Sequence, residues 1–189
     1  MFFRCRLRVF LLWLVPVLAL IAPADGIADG WSALKDPGTI GLMRHALAPG
    51  TGDPESFNID DCSTQRNLDA RGRAQAAAIG AALREAGYRP EHLLSSAWCR
   101  CRETSELLGL GEVVVASELN SFYQNPQSGE AQTEATLERL EVLEGTALLV
   151  THQVNITALT GVFPRSGEIL VVRPSGGRLS VVERILIEP

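Results

Sequence analysis

Short apolar runs alternate with longer amphipathic segments from residue 39 onward. Runs of four to eight aliphatic and β-branched residues between turn signals are typical of buried strands in a parallel sheet. The predicted strands are 39–44, 92–94, 113–116 and 146–151, followed by an edge hairpin of 169–173 and 179–187. The predicted helices are 70 to 85 or 86, 96–108, 131–143 and 156–160. This alternation predicts an α/β fold, a three-layer α/β/α sandwich with a mostly parallel sheet.

Capping residues and one long loop refine this prediction. Asp69 is a good N-cap for the alanine-rich helix, and Gly87 is positioned to end it. The segment 48–67 is polar and rich in Pro, Gly and Asp. A connection of that length inside a compact domain is more often functional than a simple link.

The first 24 residues have the pattern of a secretory signal peptide. Arg4, Arg6 and Arg8 precede an apolar run from Val9 to Ala22, and Ala22-Pro23-Ala24 fits a cleavage site. We therefore expect a signal peptide at 1–24, one domain at 25–189, and a periplasmic or secreted location. Retention as an uncleaved anchor is the alternative. The run is shorter than the roughly 20 residues of a spanning helix, so no stable membrane span is expected.

Charge and cysteine content agree with an exported protein. Loss of the three leader arginines would change the formal net charge from −5 to −8, which argues against a nucleic-acid partner. Cys62, Cys99 and Cys101 would remain, an odd number in an oxidising compartment. One disulfide and one buried thiol is the simplest interpretation. The competing interpretation, a zinc site, lacks the usual C-x₂₋₄-C spacing, so no metal is expected.

Basic and imidazole side chains follow three of the predicted strands. These segments are Arg44-His45, Ser95-Ser96-x₃-Arg100 and Thr151-His152. Ligand sites of open α/β sheets lie beyond the carboxyl ends of the strands. A neutral imidazole can attack phosphorus, and a guanidinium group can hold phosphoryl oxygens through two hydrogen bonds. Taken singly, each segment also fits a structural role, such as Arg100 pairing with a neighbouring glutamate.

Taken together, the segments resemble the histidine phosphatase superfamily, the proteins with a phosphoglycerate-mutase-like fold. The matching pieces occur in the family's order and extend over nearly all of the chain after the leader. They are Leu42-Met43-Arg44-His45, Leu68-x₃-Gly72-x₂-Gln75-Ala76, Ser95-Ser96-x₃-Arg100-x₃-Thr104 and Val150-Thr151-His152.

This resemblance implies a site and an activity. His45 would be the nucleophile, and Arg44, Arg100 and His152 would form the phosphate pocket, with no metal or other cofactor. The expected function is that of an exported, metal-independent phosphomonoesterase (a phosphoric monoester hydrolase) with a phosphohistidine intermediate. The expected partner is a phosphorylated small molecule or cell-surface saccharide. The alternative is a non-catalytic phosphate-binding module on the same fold.

The chain also departs from the family's pattern. Ala46 replaces a glycine, Leu47 stands where many relatives have glutamate, and Gln153 follows the late histidine where one branch has aspartate. Leu119-Asn120-Ser121 replaces the L-x-E segment that carries the usual proton donor. Without that acid, an activated aryl phosphate should be strongly preferred over an alkyl phosphate.

Several residues are assigned less firmly. The replacement donors considered are Glu118, which is narrowly favoured, Asp53, Glu168 and the Asp60-Asp61 pair. Trp98 and Phe122 are candidates for the pocket mouth, Asn155 for orienting a pocket group, and His92 for a structural role. Cys62 is expected to bond to Cys99 or Cys101. Cys99 is slightly favoured because relatives have a small, inward-packed alanine at the position of Cys101.

Overall fold

The computed structural model describes residues 30–189, which form one six-stranded sheet between helices. The strand order is β3-β2-β4-β1-β5-β6. The strands are β1 (Ile40–Arg44), β2 (His92–Ser95), β3 (Val113–Val115), β4 (Ala147–Thr151), β5 (Ile169–Ser175) and β6 (Arg178–Ile185). The signal peptide predicted for residues 1–24 lies outside the described residues.

The first four strands run parallel and the last two form an antiparallel hairpin at one edge. β4 lies between β1 and β2, and β3 pairs with β2. β5 pairs antiparallel with β1, and β6 pairs antiparallel with β5. The sheet is therefore mostly parallel, and the predicted fold class is confirmed.

Helices cover both faces of the sheet. They are α1 (Gly30–Ala33), α2 (Ala70–Glu85), α3 (Cys99–Leu108), α4 (Gly129–Glu141) and α5 (Gln153–Thr160). One apolar cluster joins α2 and α3 to the sheet through residues such as Ile79, Met43 and Val150. A second joins α4 and α5 to the opposite face through residues such as Ile156 and Leu149. Alternate strand residues thus fill two separate cores.

Three helix starts differ from the prediction. α3 begins at Cys99, three residues late, because 96–98 form the turn that precedes it. α4 begins at Gly129, two residues early, and α5 begins at Gln153, directly after His152. Polar residues at the first turn of a helix carry no apolar periodicity, so the pattern underestimates such helices. None of the helices in 30–189 is long and apolar enough to cross a membrane.

The start of α2 is packed directly against the segment that follows β1. A Cβ atom on Gly72 would lie 1.9 Å from the carbonyl oxygen of Leu47. Gln75, one turn later, accepts a hydrogen bond from the Leu47 backbone N–H (2.9 Å), and Ala76 is fully buried. The small residues on this face of α2 let the backbone at Leu47, two residues after His45, pack closely against the helix. This explains why glycine, glutamine and alanine occur here at that spacing.

We predict that Gly72→Ala destabilises the fold by about 1–3 kcal/mol, because the added methyl group overlaps the backbone at Leu47. Urea unfolding of the variant should show a lower midpoint with an unchanged slope. Ala77→Ser, which adds one atom to an exposed position of the same helix, is the matched control and should lower the midpoint much less, because serine in a helix costs no more than about 0.5 kcal/mol. Equal midpoints for both variants would contradict the predicted clash.

Candidate active site

The four residues expected to form a phosphate site lie around one cavity of about 180 Å³ at the carboxyl edge of the parallel strands. Arg44 ends β1 and His45 follows it, His152 follows β4, and Arg100 lies in the first turn of α3. The two imidazole rings are 5.5 Å apart between centroids. Arg100 Nη2 lies 3.5 Å from Nδ1 of His152. The structure therefore brings together all four residues.

The His45 side chain is held in a defined orientation. It is 2 % exposed, and its Nδ1 lies 2.8 Å from the carbonyl oxygen of Ala46. A carbonyl oxygen can only accept, so Nδ1 carries the proton and Nε2 keeps its lone pair. Burial, and then the charge of Arg100, lower the pKa of His45 well below 6.5. The ring is thus a neutral imidazole near neutral pH.

The His152 ring is held from two sides. Its Nε2 lies 2.8 Å from the Ser96 hydroxyl, and its Nδ1 faces Arg100. Ser96 in turn lies 3.3 Å from the side-chain oxygen of Asn120, which also accepts from the backbone N–H of Ala97 (2.8 Å). Burial, and then Arg100, lower the pKa of His152 well below 6.5. The Asn120 position, where L-x-E would have its central residue, here supports the second histidine.

Two guanidinium groups have unpaired hydrogen-bond donors. Nη1 of Arg44 donates to the carbonyl oxygen of Pro164 (3.0 Å), but its Nε is buried without a partner. Nε of Arg100 is likewise buried and unpaired. An unsatisfied buried donor costs roughly 1–3 kcal/mol, more when it is charged. Each therefore favours an acceptor, such as an anion, in its surroundings.

Sequence reasoning missed a third arginine of the cavity, Arg66. Its Nε donates to the carbonyl oxygen of Gly52 (2.8 Å), and its Nη1 donates to that of Ala48. Burial, and then the charge of Arg100, lower the pKa of Arg66. The sequence signal that could have indicated Arg66 as a site residue is a basic side chain near the end of the long polar loop 48–67. Only the folded loop brings Arg66 to the cavity wall.

Asp53, one of the candidate proton donors, forms an ion pair with Arg100. Its oxygens accept from Nη1 (2.7 Å) and Nη2 (3.2 Å) of Arg100, and both side chains are under 5 % exposed. The indole N–H of Trp98 and the backbone N–H of Arg66 also donate to it. Burial alone would raise the pKa of Asp53, but these hydrogen bonds outweigh it and lower the pKa. The carboxylate is therefore ionised near neutral pH.

The other candidate donors lie elsewhere, and Asp53 is the one carboxylate among the described residues that line the cavity. Glu118, expected at the pocket edge, lies in a 3₁₀ turn with its carboxylate 3.9 Å from Arg139. Glu168 is buried in an ion pair with Arg184 (2.6 Å). Asp61 caps a 3₁₀ turn in the long loop, and its neighbour Asp60 is exposed.

The expectations for the aromatic residues of the cavity mouth and for Asn155 are confirmed only in part. Trp98 lines the cavity, but Phe122 does not; the exposed aromatic residues Tyr123 and Phe163 lie there instead. Asn155 donates to the carbonyl oxygen of Asn120 (2.8 Å) and so supports the Ser96 and His152 pair indirectly. In the segment 30–189, no three His, Cys, Asp or Glu side chains cluster as metal ligands would.

A disulfide joins the long loop to α3 beside Arg100. Cys62 and Cys99 are bonded, as slightly favoured from the sequence, and Cys101 is the buried thiol. Gln65 adds to this connection by accepting from the backbone N–H of Cys99 (2.9 Å). The bond and the Asp53 ion pair therefore fix the loop to the same helix turn.

Comparisons with known proteins agree with the observed fold. The family model of the histidine phosphatase superfamily (branch 1) matches residues 40–122. SixA from Agrobacterium tumefaciens, described as a phosphohistidine phosphatase, is 21 % identical with a TM-score of 0.56, over 80 % of this chain and 99 % of its own. Phosphoglycerate mutase from Thermus thermophilus is 19 % identical with a TM-score of 0.54, over 79 % and 99 %.

A SixA protein histidine phosphatase in complex with tungstate is 17 % identical, with a TM-score of 0.54 over 78 % of this chain and 96 % of its own. A search of curated proteins finds no match. Residues 40–122 are thus similar to the histidine phosphatase superfamily, and the chain shares the fold of the SixA and phosphoglycerate mutase structures.

We predict that His45 is neutral at pH 6.5 with its proton on Nδ1, which ¹⁵N NMR of the imidazole can show directly. The signal is assigned by its loss in His45→Asn. Because the folded pKa is lowered, the unfolded chain binds more protons below pH 6.5, and stability should fall as the pH drops through that value. A protonated His45 at pH 6.5 would contradict this.

We predict that Asp53→Ala lowers the free energy of unfolding by about 3–5 kcal/mol at pH 7, because Arg100 is left buried without its partner. Since the folded pKa of Asp53 is lowered, this contribution is present above about pH 4 and is lost as the pH falls through the folded value. Glu55→Ala, an exposed carboxylate of the same loop, is the control and should change the stability by under about 0.5 kcal/mol. Similar losses for the two variants would count against the ion pair.

Proposed function

We propose that this chain is an exported, metal-independent phosphomonoesterase that acts through a phosphohistidine at His45. One observation carries the proposal. A buried, neutral imidazole with a free Nε2 lines the same cavity as two arginines whose buried Nε–H groups have no partner. A phosphoryl group would receive a nucleophile from the first and hydrogen bonds from the others.

The proposed reaction has two displacements at phosphorus. Nε2 of His45 forms a bond to phosphorus while the bond to the ester oxygen breaks, and the leaving group departs with that electron pair. Water then attacks the phosphohistidine, which releases inorganic phosphate and restores the imidazole. Arg44 and Arg100 would stabilise the phosphoryl oxygens, and His152, held by Ser96, would contact the same group.

Positive charge in the cavity supports an anionic substrate without a metal ion. Among residues 30–189, three arginines and a single carboxylate line the cavity, so this lining carries excess positive charge. Arginine provides a planar fork that suits phosphate. The tungstate complex of a SixA protein fits this proposal, because tungstate is also a tetrahedral oxyanion.

The proposed substrate is a small or cell-surface phosphate ester outside the cytoplasm, with a surface saccharide as one example. The signal-peptide pattern and the Cys62–Cys99 disulfide support export. The names of the SixA neighbours add phosphohistidine as a candidate substrate.

The second candidate function is a non-catalytic phosphate-binding module. The ionised state of Asp53 favours it, because no carboxylic acid from the described part of the chain then lines the cavity to protonate a leaving alkoxide. Turnover separates the two functions, since a module would bind phosphate without hydrolysing an ester.

We predict that the protein hydrolyses para-nitrophenyl phosphate at an unchanged rate in the presence of a chelator, and that His45→Ala abolishes both turnover and acid-labile phosphate on the protein. His92→Ala is the control, because His92 bonds to the carbonyl oxygen of Glu144 and does not line the cavity. Phosphate binding without any turnover in the unmodified protein would favour the module. Phosphoenzyme in His45→Ala would move the nucleophile to His152.

We predict that Arg44→Lys lowers kcat/KM by about 10²-fold or more, because lysine replaces a planar fork with a point charge. The guanidinium group of Arg44 can donate to the Pro164 carbonyl oxygen and to a phosphoryl group at the same time, and a lysine ammonium group lacks the planar geometry for both hydrogen bonds. Steady-state kinetics with para-nitrophenyl phosphate measure this, and a near-normal kcat/KM would exclude a two-pronged contact from Arg44.

A further inference from the structure

The mouth of the cavity has an unusual aromatic rim. Among residues 30–189, the exposed large hydrophobic side chains include two aromatic ones, Tyr123 (51 % exposed) and Phe163 (65 %). Both line the cavity that contains His45. Exposed apolar side chains elsewhere on the described surface, such as Val142, do not line it. Both exposed aromatic rings of the described surface therefore line the cavity that contains His45.

The two rings come from different segments of the chain. Tyr123 lies against Gly52, where an added Cβ would be 3.7 Å from its ring, and Gly52 precedes Asp53, the partner of Arg100. Phe163 precedes Pro164, whose carbonyl oxygen holds Arg44. Each ring is therefore close in the chain or in space to a residue that supports a different arginine. A phosphoryl group held by these arginines would share one cavity with both rings.

The charge state of the cavity limits what that group can be. Asp53 is its only carboxylate among the described residues, and its two oxygens are engaged by Arg100, Trp98 and Arg66. Glu118 and Glu168 do not line the cavity. A leaving oxygen must therefore depart with little help from a carboxylic acid. A phenolic oxygen, with a pKa near 10, leaves as an anion far more readily than an alkoxide does.

From these two observations we propose that Tyr123 and Phe163 form a leaving-group subsite for an aryl ring, and that the substrates are aryl phosphate monoesters. The proposal rests on the proposed function and narrows its substrate class from phosphate esters in general to phenolic esters. The rings bind the aryl face by stacking or edge contact, while the phosphoryl group lies between the arginines. The P–O bond breaks to release a phenolate, which takes its proton from solvent.

Kinetics with three esters separate binding of the ring from departure of the oxygen. Phenyl phosphate has both an aryl ring and a good leaving group, benzyl phosphate has the ring with an alkoxide, and glucose 6-phosphate has neither. We expect phenyl phosphate to have the highest kcat, and both aryl compounds to have a KM lower than that of the sugar ester. Glucose 6-phosphate as the best of the three would overturn the proposal.

Variants then test the two rings. Tyr123→Ala and Phe163→Ala should each raise the KM for phenyl phosphate by about 3- to 10-fold and leave the inhibition constant of inorganic phosphate unchanged. Val142→Ala, an exposed apolar residue away from the cavity, is the matched control and should leave all constants unchanged. Equal KM values for phenyl phosphate in the double variant and the unmodified protein would overturn the subsite.

Binding of phosphonates keeps this test independent of turnover. Phenylphosphonate and methylphosphonate cannot be hydrolysed, so calorimetry reports the subsite even if the protein proves to be a binding module. We expect phenylphosphonate to bind at least about 10-fold more tightly than methylphosphonate, and the double variant to lose that difference. Equal affinities in the unmodified protein would refute the aryl subsite, whereas absence of turnover alone would refute only the proposed function.

Discussion

The parallel pairing of β1 with β4 is the constraint on which the site depends. Arg44 pairs in register with Thr151, so the residues that follow, His45 and His152, leave the sheet side by side although 107 positions separate them. The backbone N–H of His45 continues the pairing by donating to the carbonyl oxygen of Thr151 (3.0 Å). A shift of one residue in this register would turn one of the histidines toward the opposite face.

The second determinant is the charge balance around Arg100. The positive charges of Arg44, Arg66 and Arg100 repel one another, and the buried carboxylate of Asp53 offsets one of them. The ion pair uses the Nη atoms of Arg100 and leaves its Nε unpaired. The same charges, together with burial, keep both imidazoles neutral. An acid that fixes an arginine in this way cannot also serve as a proton donor near neutral pH. The positioning of Arg100 and the absence of a carboxylic acid thus have one physical cause.

The features that the sequence predicted correctly had a local signal or followed from the order of strands and helices along the chain. Short aliphatic runs predicted the strands because a strand buried on both faces needs apolar residues at every position. Asp69 predicted a helix start because its side chain accepts from the Gly72 backbone N–H (2.7 Å). His45, His152 and Arg100 were predicted to converge because carboxyl ends of parallel strands meet at one edge. Cys62 was paired correctly with Cys99, although by a narrow preference over Cys101.

The sequence by itself thus determined the layer architecture, the edge of the sheet that carries the site, and four residues that meet there. Only the tertiary structure decided what the 48–67 loop contributes, because its polar residues have no periodicity and its contacts join positions far apart in the chain. Folding of that loop brought Asp53 onto Arg100, 47 residues away, and Arg66 onto the cavity wall. The tertiary structure also placed Glu118 in a 3₁₀ turn near Arg139, where it does not line the cavity. Which ionisable groups meet, and hence their charge states, depends on these distances, which no local pattern encodes.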